Sequence, residues 1–311
     1  MSDGLVLRAL DGSNPLGFLA ALGTFRLLTL ETRAHIQMGW ERLDGSWRPK
    51  LQGVQVTEEE LCEKLAVHRW WAPAEEFVTS LGKNLTIPIG KFKPFVERAG
   101  LAASLYDRRA ADFAAAFGCE VCEEENNDRI ERTDFCFITG SGHQDFLGTI
   151  AALQENVTSR HLYEALFEGW RAEKGLSMRW DPSDAAEYAL QWNDPGPRGA
   201  WAVRGANLLA SEALPLFLTA PTKGGLQTTG FKRRKRQDEF TWPIWRDGIG
   251  FASVRSLVAL AELQKSPESQ NGEFGREALL AMGIEEIYRA QRVRIGQGAN
   301  FKVSFRPARS I

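Results

Sequence analysis

The sequence contains little cysteine and histidine, with four of each among 311 residues. Four cysteines in a chain of this size do not indicate the disulfide framework of a small secreted domain. Long hydrophobic segments are absent as well, because the apolar run at residues 16–30 is too short to span a bilayer and includes Arg26. The first residues lack the basic opening of a signal peptide. We therefore expect a cytoplasmic protein without a membrane partner.

An excess of charge of either sign is also missing, since 38 Lys and Arg residues face 40 Asp and Glu residues. Composition alone therefore does not indicate a nucleic-acid-binding protein, and 43% apolar with 25% charged residues is typical of a soluble globular chain. The charges are nevertheless unevenly distributed. Residues 120–131 are strongly acidic, whereas no Asp or Glu follows Glu286. This separation is expected of a subunit that meets more than one kind of partner.

The N-terminal part of the chain predicts a buried helix. Asn14 is a suitable N-cap, Pro15 fits the first helical position, and an apolar run continues to about Leu30. Because nearly every face of this segment is apolar, we expect it to be buried. Small residues such as Gly17 and Gly23 would let other backbones approach the helix closely.

Short strands and further helices follow, and the mixture favours an α+β fold. Asp44 and Gly45 predict a hairpin turn within residues 40–51. Thr57 precedes three glutamates and predicts the start of a helix. The remaining predicted elements are helical material at 92–117 with a break at Gly100, a buried strand at 134–138, helices at 144–154, 161–170, 206–213 and 251–263, and a strand at 301–305.

The composition of the sequence and the predicted secondary structure change near residue 175. Residues 1–175 are predicted to form a mostly helical α+β part, with the buried helix and short mixed strands. Residues 176–311 are predicted to form an α+β part that is richer in short strands and turns, with a basic loop and a C-terminal strand. No clear linker separates the two parts, so one continuous domain is the alternative.

Five consecutive cations form the strongest functional signal. Such a run stays solvated or faces a polyanion, because neighbouring like charges repel. The nearby glycines would let the segment bend towards a backbone, and the aromatic residues Phe240, Trp242 and Trp245 are expected to stack on unpaired bases. A solvated surface loop is the alternative interpretation. The run consists of Lys232, Arg233, Arg234, Lys235 and Arg236.

Other cations extend this predicted nucleic-acid-binding track. Each phosphate contact that they make would steepen the salt dependence of binding. In the alternating segment 301–305, Lys302 and Ser304 are expected to point to the exposed face, opposite Val303 and Phe305. The additional residues assigned to the track are Lys223, Arg292, Arg294, Lys302 and Arg306.

A zinc site is the main alternative chemistry in the sequence. Cys119 and Cys122, with Cys136 and His143 downstream, are the residue types that bind zinc tetrahedrally. A buried cysteine that packs as a small hydrophobe explains Cys136 equally well. The Gly-Ser-Gly sequence at residues 140–142 is either an anion-binding turn or a plain tight turn. No catalytic constellation stands out, so we expect a protein that is not an enzyme and has no metal or cofactor.

Three segments resemble CRISPR-associated proteins encoded with type I-G (formerly I-U) interference systems. Residues 10–28 resemble the opening of those proteins, in which an Asn-Pro or Pro-Leu pair precedes an apolar Ala-Leu-Gly helix and an Arg-Leu pair. Residues 205–217 are similar to a second stretch of the same group. Residues 228–231 with residues 240–245 are similar to a third. Together the segments cover about a fifth of the chain and are structural in character.

This resemblance implies a large-subunit-like or accessory protein that acts with an RNA-guided complex. In such complexes the guide reads sequence by base pairing while protein subunits hold nucleic-acid backbones. The expected partners are therefore CRISPR RNA or target DNA and other CRISPR-associated subunits. The chain is shorter than a typical large subunit, which leaves an adaptor to the helicase-nuclease as the alternative. A zinc-dependent enzyme is the third hypothesis, after the nucleic-acid-binding subunit and the adaptor.

Overall fold

The chain contains both helices and antiparallel strands, which confirms the predicted α+β class. The computed structural model describes residues 4–32, 35–67, 71–124, 128–138, 145–183, 201–234, 237–265, 276–295 and 302–311. The helices are α1 (Pro15–Glu31), α2 (Glu58–Ala66), α3 (Ala74–Leu81), α4 (Ile89–Leu105), α5 (Arg109–Phe117), α6 (Phe146–Asn156), α7 (Ser159–Tyr163), α8 (Arg204–Ser211), α9 (Phe251–Val258) and α10 (Arg276–Ala281).

The strands form two larger sheets and three two-stranded ribbons in the part of the chain that is described. One sheet has the order β1-β3-β2-β12, and the other has the order β10-β11-β13-β14 with β15 also paired to β13. The strands are β1 (Leu5–Val6), β2 (Gln37–Leu43), β3 (Ser46–Gln52), β4 (Gly118–Glu123), β5 (Ile130–Arg132), β6 (Glu173–Lys174), β7 (Trp201–Ala202), β8 (Thr219–Thr222), β9 (Gly225–Thr228), β10 (Phe231–Arg234), β11 (Gln237–Trp245), β12 (Ile249–Gly250), β13 (Ile284–Ile295), β14 (Lys302–Phe305) and β15 (Arg309–Ser310).

Helix α1 is buried as the sequence predicts. The Asn14 side chain accepts a hydrogen bond from the Leu16 backbone N–H at 2.9 Å, and Pro15 occupies the first turn. Every residue from Pro15 to Leu28 is buried. Gly23 lets α8 approach so closely that a Cβ at this position would lie 1.7 Å from the Leu209 carbonyl oxygen. The packing of α1 on α8 therefore requires glycine here.

A buried ion pair joins the same two regions. Arg26 Nη1 lies 2.9 Å from Glu212 Oε2, and both side chains are almost completely buried. Glu212 Oε1 also accepts the Ala72 backbone N–H at 2.8 Å, and the guanidinium lies over the Phe113 ring. Burial lowers the pKa of the Arg26 guanidinium and raises the pKa of the Glu212 carboxyl, while their mutual attraction opposes both shifts. Either charge alone would be strongly destabilising here.

Aromatic side chains connect α1 to both larger sheets. Phe18 packs against Trp40 of β2 and Trp242 of β11, with ring centroids 5.8 Å and 5.7 Å apart. Trp242 Nε1 donates to the Gly12 carbonyl at 2.8 Å, and Trp245 Nε1 donates to the Met38 carbonyl at 2.7 Å. The largest cluster of buried residues therefore includes residues from both sides of position 175.

Several other local predictions are confirmed. The β2–β3 hairpin turns at Asp44 and Gly45, which have φ values of 49° and 81°. Thr57 and Glu60 form a reciprocal capping box at the start of α2. Within the described residues, no helix combines the length and the apolar composition that crossing a bilayer requires.

The predicted strand at residues 134–138 is wrong. These residues are a turn followed by irregular backbone, because the Cys136 N–H donates to the Thr133 carbonyl at 3.0 Å. The segment is nevertheless buried, since the Phe135 ring packs against Phe231 and Phe240. The apolar character of residues 134–138 therefore reflects the insertion of Phe135 between aromatic rings of the sheet and not a strand.

The expected helix break at Gly100 is also wrong. Helix α4 continues through Gly100, and the break falls at residues 106–108. The C-terminal half contains several short strands, as predicted, together with the two longest strands described, β11 with 9 residues and β13 with 12. Strand β13 was not predicted, because its alternation of apolar and charged residues is irregular.

Two glycine substitutions test the contact between α1 and α8. Gly23→Ala is expected to destabilise the protein by about 2 kcal/mol or more, because the new methyl group would overlap the α8 backbone. Gly100→Ala is the matched control, since this exposed helical position has no atom within 4 Å of the added Cβ. It is expected to stabilise α4 by about 0.5–1 kcal/mol. Urea unfolding of both variants measures the difference, and equal effects would contradict the packing described.

Candidate nucleic-acid interface

The predicted basic loop is the end of a β-hairpin. Phe231 pairs with Phe240, Lys232 with Glu239, Arg233 with Asp238 and Arg234 with Gln237 in the antiparallel ladder of β10 and β11. Three of the five cations therefore belong to a strand rather than to a loop. Lys235 and Arg236 lie outside the described residues.

The aromatic residues beside the run are buried, so the expectation that they stack on bases is wrong. Phe240 and Trp242 are 0% exposed and Trp245 is 2% exposed. Alternation along β11 directs Phe240 and Trp242 to the core face of the sheet. The indole N–H groups of both tryptophans are used by backbone carbonyls, which fixes the rings within the core.

The strand pairing separates neighbouring cations. Successive side chains of a strand point to opposite faces, so Arg233 shares a face with Phe231 and Lys232 lies on the other face. Lys232 Nζ donates to the Gln264 carbonyl at 3.4 Å, in the short helical turn Ala261–Gln264 that covers this second face. The run is therefore divided between two surfaces of the hairpin.

Pairing across the sheet brings the cations of β10 and β13 together. Asp238 on β11 pairs with Arg233 on one side and with Arg292 of β13 on the other. Paired residues of an antiparallel sheet point to the same face, so these three side chains form a row. Arg294 lies on the same face two residues after Arg292.

These side chains line an open cleft of about 500 Å³ at the end of the five-stranded sheet, which we call the arginine cleft. Among the described residues, four guanidinium groups, one carboxylate and two valines line the cleft. Arg233, Arg294 and Arg306 are exposed, whereas Arg292 is half-buried. The lining residues are Arg233, Asp238, Arg292, Val293, Arg294, Val303 and Arg306.

Arg292 is held in place by neighbouring groups. Its Nη1 lies 3.5 Å from Asp134 Oδ1 and 3.6 Å from Asp238 Oδ2. Its Nη2 donates to the Cys136 carbonyl at 3.3 Å, and the guanidinium lies 5.2 Å from the centroid of the Phe137 ring. Burial raises the pKa of the Asp134 carboxyl even though Arg292 acts in the opposite direction. Carboxylates therefore compensate the charge of Arg292.

The remaining predicted site residues lie in two places. Lys302 is half-buried at the start of β14, opposite Ile295. Lys223 is exposed in the turn between β8 and β9, and it does not line the arginine cleft. The expectation that Ser304 points to an exposed face is wrong, because Ser304 is 2% exposed and donates to the Asp181 carbonyl at 3.3 Å. Both faces of β14 are covered at this residue.

The sequence did not indicate the two carboxylates of the site. Asp238 directly follows the basic run and Gln237, so its pairing with Arg233 depends on the position of the turn. Asp134 lies in the segment whose sequence predicts a buried strand. It contacts Arg292, which is 158 positions away in the sequence. The local signal was an acidic residue two positions after a basic run.

The candidate zinc ligands do not form a metal cluster among the described residues. No group of three or more His, Cys, Asp or Glu side chains that could hold a metal ion occurs there. Cys136 is buried, and its thiol donates to the Ile138 carbonyl at 3.3 Å. This contact suits the packing interpretation of Cys136. His143 lies outside the described residues, so its predicted role stays a prediction.

Comparisons with known proteins add no family to this description. No protein-family model matches the sequence, and no curated protein matches it. The resemblance to type I-G CRISPR-associated proteins therefore stays a prediction. The chemistry of the arginine cleft is the basis for a function, because guanidinium groups recognise phosphate and carboxylate through paired N–H donors.

The thiols provide a test of the local packing. Burial raises the pKa of Cys136 to about 11 and that of Cys62 to about 12, so few thiolates exist at pH 8. We expect iodoacetamide to label the partly exposed Cys119 first in the native protein, and to label all four cysteines in urea. Mass spectrometry of peptides measures this order. Labelling of Cys136 at the same rate in the native protein and in urea would contradict the packing. If the sample contained one equivalent of zinc, the protection of the thiols would be due to the metal instead.

Proposed function

We propose that this chain is a non-catalytic nucleic-acid-binding protein that holds phosphate groups in the arginine cleft. The observation that carries this proposal is the presence of four arginines and one carboxylate in one cleft. Arginine binds phosphate oxygens through two parallel N–H donors and keeps its charge at any physiological pH. Side chains from three parts of the chain meet here, so the fold itself concentrates the charge of a nearly neutral protein.

Three of the four arginines are suited to different tasks. Arg292 is compensated by Asp134 and Asp238, so it orders the floor of the cleft and contributes little net attraction. Arg233 and Arg306 are exposed and add positive potential at the edge. Binding of this kind neutralises phosphates and releases counterions, so it weakens steeply as salt is added.

The resemblance to type I-G CRISPR-associated proteins supports a cellular setting for this activity. In that setting the protein acts in the cytoplasm as a subunit or accessory factor of an RNA-guided complex, where CRISPR RNA or target DNA supplies the phosphates. Lys223, Lys232 and Lys302 would add contacts outside the cleft, and Arg234, Lys235 and Arg236 stay predicted contacts. Sequence recognition would belong to the guide and not to this chain.

A second candidate function is an adaptor that links the complex to its helicase-nuclease. Exposed apolar side chains at the end of α4 favour it, since Leu101, Leu105 and Tyr106 are 64%, 68% and 82% exposed. Leu101 and Leu105 are four residues apart and lie on one side of the helix. Large exposed apolar groups in one place are typical of protein contacts.

Neutralising two of the exposed arginines tests the main proposal. In the Arg233→Gln/Arg306→Gln double variant, oligonucleotide affinity at low salt is expected to fall at least about tenfold. The slope of log affinity against log salt is expected to decrease by about 1.4, at about 0.7 for each lost contact to a single strand. Fluorescence anisotropy over a salt series measures both quantities.

Arg108→Gln is the matched control for this experiment. Arg108 is exposed at the start of α5 and makes one surface ion pair with Asp112, so its loss leaves the cleft intact. Its affinity and salt slope are expected to equal those of the unchanged protein. Equal losses in the control and the double variant would show only non-specific charge attraction, and an unchanged double variant would refute phosphate binding in the cleft.

A further inference from the structure

The size of the arginine cleft limits what can enter it. A volume of about 500 Å³ is within the range of pockets that hold one small ligand, and it corresponds to a hollow about 8 Å across. The nucleotides of a duplex are paired and stacked, so a duplex would have to unpair and unstack a nucleotide to place it inside the cleft. A single strand can place a nucleotide there directly, because its nucleotides are free to turn away from one another.

Asp238 is unusual among the groups that line the cleft. A carboxylate repels phosphate, so a site for phosphate alone gains nothing from it. Asp238 is 37% exposed in its side chain, and its closest approach to Arg292 is 3.6 Å. This distance is longer than the 2.7–3.2 Å typical of an N–H···O hydrogen bond. Acceptor capacity of the carboxylate therefore remains for another donor.

The ribose of RNA supplies such a donor next to a phosphate. Its 2′-hydroxyl donates a hydrogen bond, whereas the sugar of DNA has no hydroxyl at this position. A phosphate group held by Arg233 and Arg306 would place the adjoining sugar within the same cleft, where Asp238 pairs with Arg233 across the ladder. The arrangement of arginines around one carboxylate is complementary to a ribonucleotide in both charge and hydrogen bonding.

We propose that the arginine cleft binds a nucleotide of single-stranded RNA, and that Asp238 favours RNA over DNA by accepting a hydrogen bond from a 2′-hydroxyl. This inference rests on the proposed function, since it assigns the kind of nucleic acid that the same cleft takes. Asp238 is thus a specificity-determining residue, and the arginines supply the attraction that RNA and DNA share.

Oligonucleotides that differ only in the sugar test the proposal. Fluorescence anisotropy at one fixed salt concentration compares single-stranded oligo(U), oligo(dU) and 2′-O-methyl oligo(U). Oligo(U) is expected to bind about tenfold more tightly than the other two, as for one hydrogen bond to a charged acceptor. The methylated oligonucleotide keeps the oxygen and loses the proton, so it should behave as oligo(dU) does. Equal affinity for all three, or preference for oligo(dU), would overturn the proposal.

Two aspartate variants assign the preference to a residue. Asp238→Ala is expected to reduce the ratio of oligo(U) to oligo(dU) affinity to about one. Asp247→Ala is the control, because Asp247 is an exposed aspartate that does not line the cleft. It should keep the ratio. If Asp238→Ala strengthens binding of both oligonucleotides equally and keeps the ratio, the carboxylate only repels phosphate and the proposal is wrong.

The failures of the two proposals are distinguishable. Salt-dependent binding of oligo(U) and oligo(dU) with equal affinity, lost in the Arg233→Gln/Arg306→Gln variant, would retain phosphate binding and refute the role of Asp238. Absence of salt-dependent binding to any oligonucleotide would refute both. If Asp238→Ala does not fold, as judged by circular dichroism, Asp238→Asn replaces it and is expected to lower the ratio at least in part.

Discussion

The close approach of α1 to α8 is the constraint on which the rest of the structure depends. Gly23 allows the two backbones to touch, and the buried pair of Arg26 and Glu212 makes the contact specific, because neither charge is tolerated alone at that depth. Glu212 also binds the backbone N–H of Ala72, so a third segment is fixed to the same point. Phe18 on the opposite part of α1 then supports the tryptophans of β2 and β11.

The arginine cleft is a continuation of this core. The sheet face that packs on α1 is aromatic at Trp242, Phe240 and Phe231, and two residues further along β10 it becomes charged at Arg233. Alternation keeps all these side chains on one face. The rings buried in the core therefore fix the strands whose ends carry the guanidinium groups. Rigid strands hold a binding group more accurately than a loop would.

Local signals in the sequence predicted the local structure. The Asn14 cap, the Asp44-Gly45 turn and the Thr57 capping box each depend on a few adjacent residues, and each is present. Strand pairing depends on distant residues and was not predictable in the same way. The sequence marked the cations of β10 and β13 as candidates, but only the ladder aligns Arg292 with Asp238 and Arg233. The burial of Phe240 and Trp242 was missed for the same reason.

The central claim is that the end of the five-stranded sheet is where the protein touches nucleic acid. Photo-crosslinking of a single-stranded RNA that contains 4-thiouridine, followed by mass spectrometry of the attached peptides, tests it most directly. The structure leads us to expect crosslinks in the peptides that contain β10, the start of β11, the end of β13 and β14. Crosslinks confined to the helices between residues 58 and 117 would contradict the claim.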